Sequence, residues 1–182
     1  SGKSLASLMF TELKNETIKK CFIICPNNLK FNWRDEITKY TNSKCYIINY
    51  NDNIYPQEEC KYFIVNYEYI NKKPPEKTKK GQVIDGKKYF LKNEKIDTYS
   101  LDWDCVIVDE SHRLANPDTN TYKNIKTCFF KLKHKVFLTG TPILGKLIEL
   151  FHQFKFIDAV TFNNKEKFLS EYCGQRWHNN LR

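Results

Sequence analysis

Val106-Ile107-Val108 runs directly into Asp109-Glu110-Ser111-His112, an apolar strand-like stretch ending on two adjacent carboxylates. Open α/β sheets take their ligands at the carboxyl ends of their strands, so these groups stand where chemistry is done. There Asp109 can hold Mg²⁺ through water, and Glu110 can orient or deprotonate an attacking water. His112 can sense the state of the site and pass it on. The plainer reading makes Asp109 and Ser111 caps of a following helix. Gly2-Lys3-Ser4 heads a helical stretch. In that position backbone N–H groups and the helix dipole receive phosphate oxygens, Lys3 reaches the β- and γ-phosphates, and the Ser4 hydroxyl ligates Mg²⁺. Taken alone, the tripeptide is equally a terminus with no ligand. Leu138-Thr139-Gly140-Thr141-Pro142 follows another apolar run. Gly140 permits a close or strained backbone, and Thr139 and Thr141 can bond to the carboxylates or to His112. An ordinary strand-to-helix turn with Thr caps is the alternative. The signal is the order of the three: phosphate-loop tail, strand–Asp–Glu–Ser–His, strand–Thr–Gly–Thr–Pro.

The elements that must position these residues alternate along the chain. Apolar spacing predicts a helix over Leu5 to Thr17 and another over Phe31 to Tyr40, the latter with Phe31, Trp33, Ile37 and Tyr40 as its apolar set. Cys21 to Cys25, Cys45 to Ile48, Tyr62 to Val65, Cys105 to Val108 and Val136 to Leu138 are apolar runs of strand length. Runs that are apolar throughout and separated by helical segments indicate parallel strands buried on both faces. The expected class is α/β, with a doubly wound, mainly parallel sheet in a single domain over residues 1–182. Lys72 to Lys95 interrupts the pattern with nine Lys against Glu76, Asp85 and Glu94. Pro74-Pro75 bars helix there. Asp85-Gly86 between short β-prone runs signals a two-residue hairpin turn. The expectation is an inserted, exposed basic hairpin, either a solvated loop or a contact to nucleic-acid phosphates through Lys87 and Lys88.

The chain has 182 residues, 30 basic and 21 acidic, for a net charge of +9. That balance favours polyanionic partners. All but four of the basic residues are Lys, and Asn is also abundant, so part of the charge follows from an AT-rich coding bias. The composition excludes disordered and collagenous chains. No apolar run approaches membrane-span length, no signal peptide opens the chain, and no membrane association is expected. The first residue is Ser rather than Met, so the chain reads as a fragment. Its seven Cys are odd in number and lack Cys-x-x-Cys spacing. They indicate a reducing, intracellular compartment with neither structural zinc nor a disulfide framework.

These motifs resemble those of the first RecA-like lobe of the Swi/Snf family of superfamily 2 helicase-like ATPases. Gly2-Lys3-Ser4 is similar to the end of motif I. Ile24-Cys25-Pro26-Asn27-Asn28-Leu29, with Asn32-Trp33 and Glu36-Ile37, is similar to motif Ia. Val65-Asn66-Tyr67-Glu68 resembles motif Ib. Asp109-Glu110-Ser111-His112, with Leu114 and Asn116, resembles motif II. Leu138 to Pro142, with Glu149-Leu150 and Ile157-Asp158, resembles motif III and the helix beyond it. The Asp-Glu-Ser-His variant and the tail Phe168 to Cys173 look most like the annealing-helicase, fork-remodelling branch.

The resemblance implies a P-loop ATPase using ATP and Mg²⁺, bound by Gly2, Lys3, Ser4 and Asp109. Its motor would track on double-stranded or forked DNA. It places Pro26, Asn27, Asn28, Asn66 and Tyr67 near the DNA backbone, where contacts position without reading sequence. Core packing is the other reading of Tyr67 and the favoured one of Trp33. Gly145 stands where the family usually carries Asn, which weakens part of the coupling between nucleotide and DNA. A second RecA-like lobe in the same parent chain would supply arginine fingers. Arg34, Arg113, Arg176 and Arg182 do not sit in such motifs, so the 182 residues alone are expected to hydrolyse ATP negligibly. Rival readings are a restriction-type or viral superfamily 2 helicase and a non-catalytic DNA-binding scaffold. The compartment would be a nucleus, a viral replication site or a bacterial cytoplasm.

Overall fold

The computed structural model describes residues 2–49, 59–71, 103–143 and 147–172, together with the backbone of 82–84 and 87–89. Helix α1 (Gly2–Leu13) leads to strand β1 (Cys21–Cys25), a 3-10 turn at Asn27–Leu29 and helix α2 (Lys30–Tyr40). Strands β2 (Lys44–Ile47) and β3 (Cys60–Asn66), short helix α3 (Tyr67–Asn71) and strands β4 (Gln82–Ile84) and β5 (Lys87–Tyr89) follow. Strand β6 (Cys105–Asp109), a 3-10 turn at Ser111–Leu114, helix α4 (Asn120–Phe129), strand β7 (His134–Leu138) and helices α5 (Ile148–Ile157) and α6 (Lys165–Tyr172) complete the order.

Five strands form one parallel sheet in the order β2-β3-β1-β6-β7. Strand side chains alternate between faces, and the central strands have apolar partners on both. Phe22, Ile24, Phe63, Val65, Val106 and Val108 face one core, closed by Tyr122, Ile125 and Phe129 of α4. Cys21, Ile23, Cys25, Ile64, Cys105 and Ile107 face the other, closed by Leu8 of α1 and by Trp33 and Ile37 of α2. Double-sided burial is why these strands read as unbroken apolar runs rather than alternating ones. It also gives the expected doubly wound architecture.

The boundaries differ from the sequence reading in informative places. Helix α1 begins at Gly2, not Leu5, and stops at Leu13, with a turn in place of its last expected residues. Of the four apolar residues expected to line α2, only Trp33 and Ile37 are buried; Phe31 and Tyr40 are 56% and 40% exposed. Each of those exposed rings instead carries a cation, Arg34 over Phe31 and Lys39 over Tyr40. Helix α4 was not expected from the motifs. Its apolar positions Tyr122, Ile125 and Phe129 share one face, and the Thr119 hydroxyl caps it by accepting from Tyr122 N–H at 3.2 Å. Strands β4 and β5 pair antiparallel as a separate two-stranded sheet, with Ile84 opposite Lys87. The remainder of the Lys72 to Lys95 insertion lies outside the described residues, as do Gly145, Cys173, Arg176 and Arg182.

Candidate functional site

Three strand ends, those of β1, β6 and β7, deliver the candidate residues to one side of the sheet. Lys3 and Ser4 lie in the first turn of the 12-residue helix α1, which carries no acidic residue there to compete for an anion. Together with Asp109 and Glu110 they line a cavity of about 150 Å³. Its opposite wall is Leu29 with Asn32, Trp33 and Glu36 of α2.

The carboxylates are held by different means. Asp109 is buried, and each of its oxygens accepts one protein donor: Oδ1 from the Glu110 N–H at 3.0 Å, Oδ2 from the Trp33 indole N–H at 3.0 Å. Glu110 has φ 52° and ψ 49°, the only positive φ among the described non-glycine residues. That left-handed turn ends the strand abruptly and starts the 3-10 turn. His112 closes the arrangement. Its Nδ1 lies 3.2 Å from Glu110 Oε2 and 3.1 Å from Thr139 Oγ1. A carboxylate only accepts, so a proton on Nδ1 serves Glu110 and reaches Thr139 as well. Thr139 Oγ1 in turn accepts the Thr141 N–H at 3.1 Å. Gly140 sits beside Lys3: a Cβ built there would come 3.8 Å from Lys3 Nζ. That is an ordinary contact, so Gly140 lies close to Lys3 but with room for a side chain. Gly2 likewise faces open space.

Several supports escaped the sequence reading. Gln153 of α5 is buried; it accepts from the Ser111 hydroxyl at 3.0 Å and donates to the Pro142 carbonyl at 3.0 Å, tying the two strand ends together. The visible signal was a lone amide between Phe151, Phe154 and Phe156. Trp33 is core, as favoured, but its indole nitrogen also holds Asp109.

Tyr67 requires a correction. It was expected at the DNA-facing edge, yet it is 1% exposed. Its hydroxyl donates to the Asp109 carbonyl at 2.5 Å, and the Arg113 guanidinium lies 4.7 Å from its ring centre. Burial pushes its phenol well above the ordinary range, so it remains a donor. The strand geometry explains the inversion. Asn66 is the last residue of β3 and Tyr67 the first of α3, so the chain turns inward between them. Asn66 stays at the edge, donating from Nδ2 to Asn27 Oδ1 at 3.1 Å, while Asn27 and Asn28 are exposed and Pro26 half-buried. Of Lys87 and Lys88 only the backbone is described.

The sequence profile of the SNF2-related domain matches residues 2–176. The chain belongs to that family. This SNF2-related chain is 28% identical over 182 residues to chromodomain-helicase-DNA-binding protein 8 of Xenopus tropicalis, covering 94% of this chain and 8% of that protein. It is 28% identical over 188 residues to the CHD3-type chromatin-remodeling factor PICKLE of Arabidopsis thaliana, covering 94% of this chain and 13% of that one. Its fold is similar to the Sulfolobus solfataricus SWI2/SNF2 ATPase core in complex with dsDNA, with a TM-score of 0.70 at 19% identity over 95% of this chain and 32% of that chain. The fold is thus the RecA-like α/β lobe expected. The SNF2-related chain spans less than a third of that core and small fractions of these relatives.

The donor set suits a nucleotide with a water-shelled cation. Lys3 supplies a cation and the start of α1 supplies N–H groups for phosphate, while Ser4 and Asp109 offer hard oxygens. Among the described residues no three His, Cys, Asp or Glu side chains gather closely enough to hold a metal ion. One polar atom on the α2 wall is orphaned: Glu36 Oε2 is buried and has no hydrogen-bond partner. Lys3 with the oxygens of Ser4 and Asp109 on one cavity fits the group. Among the described residues no helix is long and apolar enough to cross a membrane.

Proposed function

We propose that this SNF2-related chain is the nucleotide-binding lobe of an ATP-driven motor that tracks on double-stranded DNA. The observation that carries the reading is the convergence of Lys3, Ser4, Asp109 and Glu110 on one cavity, with Thr139 and Gly140 beside it. Bound Mg²⁺·ATP would bring the γ-phosphoryl group and neutralise charge on it. Lys3 would balance phosphate oxygens, and Ser4 and Asp109 would hold the cation. Glu110 would serve as the base toward the attacking water, its carboxylate aimed by the His112 N–H. The link from His112 to Thr139, together with the position of Gly140 against Lys3, lets the β7 strand end respond to what the cavity holds.

DNA contact is proposed at the edge formed by Pro26, Asn27, Asn28 and Asn66, with Lys87 and Lys88 of the basic hairpin as further phosphate contacts. A second lobe in the same parent protein would complete the reaction, and these 182 residues alone would turn over negligibly. The named relatives favour chromatin, and hence a nucleus, over a viral or bacterial setting. The fork-remodelling assignment rests only on the Asp109 to His112 variant and the Phe168 to Cys173 tail.

The deciding experiment measures ATP hydrolysis by the longer protein, wild type beside Glu110→Gln. Hydrolysis that requires duplex DNA and is lost in the variant is the expected result. Hydrolysis independent of DNA would keep the ATPase and remove its track. None under any condition would favour a binding scaffold. Comparing forked DNA with nucleosomes as activators separates the branches.

A further inference from the structure

Helix α1 carries Lys3 and Ser4 in its first turn, yet it grips the sheet with few large side chains. Its buried residues are Ser7, Leu8 and Thr11, so Leu8 is the one fully buried apolar group on it, with the Phe10 ring half-buried alongside. A face this small offers little interlocking against movement along the helix axis. The firmer hold is polar, and it lies at the other end of α1. Lys61, the second residue of β3, is only 7% exposed. Its Nζ donates to the Thr11 carbonyl at 3.1 Å and to Asn15 Oδ1 at 3.0 Å, and it lies 3.2 Å from Glu12 Oε1. The same Glu12 oxygen accepts from the Tyr62 hydroxyl at 2.6 Å and from the Ser43 hydroxyl at 3.0 Å. Tyr62 Oη is also 2.6 Å from Thr11 Oγ1. Burial pushes the Tyr62 phenol well above its ordinary range, so it keeps its proton for Glu12.

A network of this kind is a poor source of net stability, because desolvating a lysine and a carboxylate largely offsets their attraction. Its geometry, however, is specific. Lys61 binds a carbonyl in the last turn of α1, where a cation also suits the helix dipole. Ser4 and Thr11 are separated by about 10 Å of helix, at ~1.5 Å per residue. A helix is stiff over that length, so fixing one end fixes the other. We propose that Lys61 and Tyr62 are positioning residues of the nucleotide site: through Thr11 and Glu12 they set the axial register of α1, and with it how far Lys3 and Ser4 reach into the cavity. The inference rests on the nucleotide-site reading above. Lys3 and Ser4 line that cavity, whereas Lys61 and Tyr62 do not. Both stand near the start of β3, while the cavity lies at the carboxyl ends of the strands. An effect of either residue on nucleotide must therefore travel through α1.

The test measures, by titration calorimetry on the longer protein, the affinity for a non-hydrolysable ATP analogue with Mg²⁺. Wild type is set beside Lys61→Met, Tyr62→Phe and the pair Lys61→Met with Glu12→Gln. The pair removes both charges, so it avoids the stranded carboxylate that Lys61→Met leaves behind. Ile125→Val, in the core on the other face of the sheet, controls for general destabilisation. The expected result is a rise in Kd of about tenfold to a hundredfold for Lys61→Met and for the pair. Tyr62→Phe should move the same way, and the control should not move. In hydrolysis, KM for ATP should rise by more than kcat falls. An unchanged Kd in the folded variants overturns the proposal. Weakening that vanishes in the pair as its melting temperature recovers, or that the control shares, also overturns it, since either marks a purely structural role. If Lys61→Met does not fold, the pair and Tyr62→Phe decide on the same terms. Failure of the wild type to bind the analogue would instead sink the nucleotide-site reading itself.

Discussion

The indole N–H of Trp33 donates to Asp109 Oδ2 at 3.0 Å, joining the helix after the first strand to the carboxylate that ends β6. Both partners are buried. A hydrogen bond to a buried charged acceptor is worth roughly 1.5–3 kcal/mol. Trp33→Phe keeps most of the ring and removes the donor. It should cost about 2 kcal/mol in urea unfolding and lower hydrolysis by the longer protein. A variant as stable and as active as wild type would show that the bond carries neither load.

Tyr67 makes the same turn from the other face of the sheet, through its hydroxyl on the Asp109 carbonyl. Tyr67→Phe leaves the ring under Arg113 and removes one neutral hydrogen bond, so the stability loss should be about 1 kcal/mol. The turn that aims Glu110 would loosen. Steady-state kinetics should therefore show a fall in kcat with little change in KM for ATP. A change confined to KM would argue against this positioning role.

Gln153 is the sole described side chain bonded to both Ser111 and the Pro142 carbonyl. Gln153→Leu keeps the bulk and strands the buried Ser111 hydroxyl, at a cost of about 1–3 kcal/mol. If the bridge also conveys the state of one strand end to the other, the ratio of DNA-stimulated to basal hydrolysis should drop several-fold. An unchanged ratio would leave Gln153 a structural residue only.

Acid should find a weak point at Glu12. Burial alone would raise its carboxyl, but hydrogen bonds from Tyr62, Ser43 and Lys61 bring it below the ordinary 4.5. Because the folded value is the lower one, its contribution is fully present above the unfolded value and disappears as pH falls through the folded value. Urea unfolding followed into the acid range should show a shallower loss of stability in Glu12→Gln than in wild type. Parallel curves would show that Glu12 contributes nothing to the acid limb.

The central strands were legible because burial on both faces leaves an unbroken apolar run, as in Cys21 to Cys25 and Cys105 to Val108. The grouping of Asp109, Glu110 and His112 at one strand end was legible because short motifs keep fixed local spacing. The supports were not. Trp33 reads as apolar bulk, and nothing in its surroundings announces an acceptor 76 positions away. Tyr67 sits one residue past Asn66, and only the turn from β3 into α3 decides which of them faces outward. Glu36 belongs to the motif Ia resemblance, but only the packing of α2 shows that it lines the cavity. Phe31 and Tyr40 fit an apolar spacing, yet both stay exposed, and Arg34 and Lys39 lie over their rings. Spacing specifies which face a residue shares, whereas its partners come from the long-range topology.

The left-handed backbone at Glu110 has a consequence for how freely this position can change. A side chain there costs about 1–2 kcal/mol relative to the right-handed conformation, and glycine would adopt it without that penalty. The fold by itself thus favours replacing the residue on which the proposed chemistry depends. Glu110→Gly should melt no lower than wild type while losing hydrolysis entirely, and a clear drop in melting temperature would show that the strain is offset locally by His112. If the melt holds, selection acting on stability and selection acting on turnover pull this one codon in opposite directions.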